Sequence, residues 1–172
     1  MADFIKALER TLQNEGGYIL ETVAGDKGGQ TYAGIARNIF PHWEGWSLID
    51  SGDLTSASLK KDVQEFYRTQ FWNPIQGDNI QNDEIAFSVF DFAVNAGIKT
   101  SVRAAQVAIA QTPDGILGTG TLAAINRALA PEFIILFTLA KIARYVNICN
   151  KNREQSKFLL GWLNRALKGV TA

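Results

Sequence analysis

Three residues near the start of the chain have types and spacing suited to acid-assisted hydrolysis of a glycosidic bond: Glu15, Asp26 and Thr31, within "LQNEGGYILETVAGDKGGQTYAGIA". A glycosidase needs one protonated carboxylic acid on the leaving oxygen. It also needs a second group on the opposite face of the sugar, to stabilise an oxocarbenium-like transition state, attack it or hold a water against it. Glu15 continues the helical stripe Leu8, Leu12, because residues three and four apart share a helix face. It therefore points toward the core or a cleft lined by it, in a last turn where the macrodipole disfavours an anion. The dipole contributes only ~0.3–1 kcal/mol, less than one pKa unit. A general acid with a pKa of about 6 must owe its shift mainly to desolvation. Asp26 lies between glycine-rich segments that free the backbone to turn, and Thr31 opens the returning segment. The plainer alternative is a solvated glutamate on a helix end followed by a hairpin with a turn aspartate.

Other chemistries have little to build on. Cys149 is the only cysteine, so neither an internal disulfide nor a thiolate metal cluster can form. His42 is the only histidine, in the Pro- and Trp-rich "FPHWEGW", with no evident partner to position it as a base. Neither a metal nor a cofactor is expected. Seventeen acidic and seventeen basic residues cancel without long blocks, which gives no reason to expect nucleic acid or an anionic membrane as partner.

The elements that must position these residues are mostly helices. Asp3 caps a first helix with Phe4, Leu8 and Leu12 in one stripe, and Gly16-Gly17 end it. Residues 18–33 read as strand, turn and strand, and a second helix is expected from Gly34 to just before Pro41. Leu59, Val63, Phe66 and Gln70 mark a helix closed by Asn73-Pro74. "DEIAFSVFDFAVNAG", capped by Asn82 and stopped by Gly97, is apolar on nearly all faces and belongs in the middle of a fold. Further helices are expected over 100–111, 119–129, from Pro131 to Asn150, and over 154–168. "FIILFTLA" at 133–140 is followed too soon by Lys141 and Arg144 for a span of ~20 residues. It reads as a buried helix, so no stable membrane insertion is expected. The fold class is all-α, mainly helical, with a small β-hairpin after the first helix.

The ordered motifs carry a resemblance over nearly the whole chain. "EGGY" followed by "DKGGQTYAGI", then "FYRTQFWNPI" and "FDFAVNAGIKTSVRAAQVAI", resembles glycoside hydrolase family 108, the lysozyme-like N-acetylmuramidases, some of whose members are labelled secretion activators. "PDGILGTGTLAAI" and "GWLNR" resemble the predicted peptidoglycan-binding region that follows in that family. In this chain "ETVAGDKGG" stands where many members have a longer Asn/Asp-Pro loop, and Tyr32-Ala33 where Asn-Tyr is common.

The resemblance implies a lysozyme-like muramidase region at 1–96 and a peptidoglycan-binding helical region at 97–172. It implies cleavage of the β-1,4 bond between N-acetylmuramic acid and N-acetylglucosamine, with Glu15 as the acid and Asp26 and Thr31 handling the water or developing cation. Aromatic faces suit pyranose rings. Tyr18, Tyr32 and Trp72 are the first expected sugar contacts, with Trp43, Trp46 and Tyr67 as further candidates. The expected partner is the peptidoglycan glycan strand. "MADFIKALERTL" mixes charge with helical hydrophobic spacing and is no signal peptide, so synthesis in the cytoplasm, action in the periplasm or on the wall, and access through a holin or an export system are expected. The reading from another class is a peptidoglycan-binding module that does not cleave, distinguished by the absence of released reducing ends.

Overall fold

The computed structural model describes residues 1–14, 16–22, 29–168 and 170. The chain forms two compact units, one of Asp3–Asn73 and one of Met1–Ala2 with Pro74–Ala172.

In the first unit, α1 (Phe4–Asn14) buries Phe4, Ala7, Leu8, Thr11 and Leu12 along one face. The Asp3 carboxylate caps it, accepting from the N–H groups of Ile5 and Lys6 at 3.0 and 3.2 Å. At the other end the Gly17 N–H reaches back to the Leu12 carbonyl at 2.8 Å, and Gly16 and Gly17 take the positive φ angles that end helices. A small antiparallel sheet follows: β1 (Leu20–Thr22), β2 (Gln30–Tyr32) and β3 (Ile35–Ala36), in that spatial order.

The expected hairpin is therefore present as β1 and β2, but the helix expected from Gly34 is absent. Tyr32 pairs with Ile35, which leaves Ala33-Gly34 as a two-residue turn with both φ angles positive, +48° and +78°. That is the pattern of the tight hairpin turn whose twist matches the strands. The Tyr67 hydroxyl, donating to the Ala33 carbonyl at 2.8 Å, holds it from outside. A short helix, α2 (Gly45–Asp50), stands within and after the Pro- and Trp-rich "FPHWEGW", where no helix is expected from the sequence. Next, α3 (Ala57–Tyr67) is capped by the Ser56 hydroxyl accepting from the Leu59 N–H at 3.1 Å. It buries Leu59, Val63, Phe66 and Tyr67, then widens into a π-helical turn, Arg68–Trp72.

The second unit is helical: α4 (Asp83–Ala96), α5 (Ile98–Ala108), α6 (Thr119–Arg127), α7 (Ala130–Lys151) and α8 (Leu159–Leu167), with a 3-10 turn over Arg153–Phe158. Asn82 caps α4 through the N–H groups of Glu84 and Ile85, and Gly97 turns the chain into α5 at φ +90°. α4 packs against α5 and α7, and the Ser101 hydroxyl donates to the Val89 carbonyl at 2.6 Å to tie α5 to α4. On α7, Phe133, Phe137 and Thr138 are buried, but Ile135, Leu136 and Leu139 are about half exposed. The segment 133–140 is thus buried on one face only. An unbroken apolar run carries no information about which face turns inward, so the sequence alone overstated its burial.

The "PDG" loop before α6 is organised by Gln106, which is buried on α5. Its side-chain amide donates to Asp114 at 2.7 Å and its carbonyl oxygen accepts the Gly115 N–H at 2.8 Å. Gly115 is required there: at φ +82°, a Cβ would lie 2.6 Å from Lys99 Cγ. Asp91 on α4 pairs with Arg165 on α8 at 3.3 Å, so this helix-central aspartate links two helices. No helix among the described residues is long and apolar enough to cross a membrane.

Candidate functional site

Thr31 lies mid-strand on β2, opposite Glu21 of β1 and Ala36 of β3. Its neighbour Gln30 is fixed by Arg37, whose backbone N–H bonds the Gln30 carbonyl at 2.8 Å and whose guanidinium reaches the Gln30 side-chain oxygen at 2.6 Å. The same guanidinium forms a two-pronged pair with Asp50 on α2, one contact being 2.8 Å, and lies 4.8 Å over the Trp46 ring. Arg37 therefore couples the strand carrying Thr31 to α2. The pair raises the guanidinium's pKa and holds the Asp50 carboxyl below the usual carboxylate range. Glu15 and Asp26 lie outside the described residues.

Six aromatic side chains were candidates for a sugar groove, and burial separates them. Trp72 has no exposed surface and packs against Phe4 with centroids 5.4 Å apart. Tyr32 is 1% exposed, its hydroxyl donating to the Leu54 carbonyl at 2.9 Å. Trp46 and Tyr67 are also buried. With their rings covered, Tyr32 and Trp72 brace the sheet and the end of α3. A flat face must be open to solvent to receive a pyranose, and in this structure neither Tyr32 nor Trp72 presents one.

Tyr18 and Trp43 keep partial exposure. Lys60 lies 5.9 Å over the Tyr18 ring, and burial pushes the Tyr18 hydroxyl up, with Glu9 adding to the shift. Trp43 stacks on Tyr32 at 6.3 Å and 22°, and meets Trp46 edge-on at 5.1 Å. An aromatic chain thus runs from β2 to a cleft of about 460 Å³ between the 39–44 segment and α3.

Phe40, Trp43 and Phe66 line this cleft, with Glu44, Asp62 and Glu65 contributing carboxylates and His42 also on its wall. Burial pushes the Asp62 carboxyl up, and the charge of Glu44 adds to it against that of Lys61. Neither Asp62 nor Phe66 stands out in the sequence as a site residue. Asp62 sits in "KKDVQEF", a pattern that reads as a solvated helix face. Apolar rings beside acids and hydroxyl-bearing groups can take up a sugar, stacking on its faces and accepting from its hydroxyls. Among the described residues, no three His, Cys, Asp or Glu side chains group as metal ligands.

A family model described as Glycosyl hydrolase 108 matches residues 8–97, and one described as Predicted Peptidoglycan domain matches residues 101–167. Comparison with curated proteins finds no match. Among solved structures the chain is similar to Brucella abortus SagA, at 23% identity and a TM-score of 0.62, over 98% of this chain and 96% of that one. At that identity the likeness is one of fold.

Proposed function

The chain belongs to the glycosyl hydrolase 108 family, and on that premise we propose that it is a lysozyme-type N-acetylmuramidase. It cleaves the β-1,4 bond between N-acetylmuramic acid and N-acetylglucosamine in peptidoglycan, as an endolysin-like enzyme acting on the wall. The observation that carries this reading is the family match over residues 8–97, which encloses Glu15, Asp26 and Thr31 in one stretch. Glu15, as the protonated acid, donates its proton to the leaving glycosidic oxygen. Asp26 and Thr31 hold the water or stabilise the positive charge that develops on the sugar. The pairing of β2 on both sides gives Thr31 the fixed position that such a role needs. Tyr18 and Trp43 supply the flat faces along which the glycan lies. The segment matching the peptidoglycan domain supports binding to the same polymer.

The test is the chemistry of the ends released from purified peptidoglycan. After digestion and borohydride reduction, mass spectrometry should find reduced N-acetylmuramic acid at the new ends. Reduced N-acetylglucosamine would make the enzyme a glucosaminidase, and anhydro ends a lyase. Wall binding without any new ends would leave a non-catalytic binding module.

A further inference from the structure

We propose that the groove between α5 and α7 binds the peptide part of the wall polymer through its carboxylates. The inference rests on reading the chain as a peptidoglycan protein and adds a site and a ligand chemistry to it. The groove has a volume of about 400 Å³, within the ~300–1,000 Å³ common for small-ligand sites. Small residues open it: Ala104 on α5 lines it together with Ala140 and Ala143 on α7, where longer side chains would close the space between the helices.

Cations stand along its walls. Arg103 belongs to α5, while Arg144 and Lys151 lie seven residues apart on α7, two turns along one face, with the Asn147 amide between them. No acid lines the groove, and none of the three cations has an ion-pair partner among the described residues. Asp114 feels the charge of Arg103, but its carboxylate is engaged by Gln106 and the Ile116 N–H. In a chain of zero net charge, three cations around an acid-free groove are a local concentration of positive charge.

Their arrangement selects a ligand. A neutral glycan calls for aromatic platforms, and no aromatic side chain lines this groove. Single-stranded nucleic acid calls for aromatic platforms beside its cations, and this groove has none. A short peptide with two or more free carboxylates and methyl-sized side chains fits each feature. Its carboxylates meet the guanidinium and ammonium groups, its amides meet Asn147, and its methyls lie on the alanine floor. The stem peptides of peptidoglycan have this composition.

Calorimetric titration of the full chain with the sugar-free tetrapeptide L-Ala-γ-D-Glu-meso-diaminopimelyl-D-Ala tests the proposal. Binding should weaken on raising salt from ~50 to ~300 mM. It should fall roughly tenfold in Arg144→Gln/Lys151→Gln, since exposed ion pairs each contribute up to about fivefold. Both side chains are exposed, so this variant should keep the wild-type circular dichroism spectrum. Ala140→Leu, which fills the groove without changing charge, should weaken binding as well. The proposal is overturned if the wild type does not bind the peptide, if a fully amidated peptide binds equally well, or if inorganic phosphate or anionic vesicles displace it as readily as free peptide does. Pelleting with purified sacculi separates this inference from the function it rests on. Wild-type chain that pellets with sacculi and cleaves them but ignores the peptide removes only the groove assignment, whereas chain that neither pellets nor cleaves removes both.

Discussion

At the scale of single residues, the site's framework includes a local strain. Ala33 is held at φ +48°, where a residue with a Cβ is disfavoured by about 1–2 kcal/mol. Glycine at that position would relieve the strain while adding about 0.5–1 kcal/mol of unfolded-state freedom. Ala33→Gly should therefore stabilise the protein by about 0.5 kcal/mol, raising the urea midpoint with no change in the slope of the transition. A drop in midpoint would mean that the Ala33 methyl, 1% exposed, contributes more packing than the turn costs. The aromatic side chains make a related point: Tyr18 and Trp72 look alike in sequence as candidate sugar platforms, yet Trp72 is sealed against Phe4 and Tyr18 keeps open surface. Residue type gives the chemistry of a ring; exposure depends on neighbours far along the chain.

At the scale of elements, α2 is six residues long, too short to persist alone, and tertiary contacts keep it in place. The Trp46 indole N–H bonds the Phe40 carbonyl at 2.8 Å, and Asp50 meets Arg37. The folded Asp50 carboxyl is shifted down, first by its hydrogen bond from Arg37. Its stabilising contribution is thus fully present above the unfolded pKa of about 3.9 and is lost as pH falls through the lower folded value. Asp50→Asn should lower the melting temperature at pH 6, and the gap from wild type should close as pH is taken below ~3.9. A gap that persists unchanged at low pH would show that the pairing charge is not what anchors α2. The same dependence on distant contacts explains which elements sequence revealed. Helices with their own caps and stops, such as α1 with Asp3 and Gly16 or α4 with Asn82 and Gly97, were legible. β3 and α2 were not, because the contacts that hold them join separated stretches of chain: Tyr67 to the Ala33 turn before β3, and Arg37 to Asp50 of α2.

At the scale of the whole molecule, the first half of the chain matches a glycosyl hydrolase family and the second a predicted peptidoglycan domain. Glu15, Asp26 and Thr31 could be proposed from sequence because acid catalysis on a sugar restricts residue types and because their order resembles that of the family's N-terminal motif. The α5–α7 groove could not, because its cations are scattered over 48 positions from Arg103 to Lys151 and only helix packing brings them together. The central claim is that Glu15 is the proton donor of a muramidase. It is tested most directly by the rate of reducing-end release from purified peptidoglycan by Glu15→Gln, an uncharged near-isostere, beside wild type, with wall binding measured on the same samples. The account predicts that release falls by at least about a hundredfold, the scale of a lost general acid, while the variant still pellets with the wall. Release at the wild-type rate would contradict it.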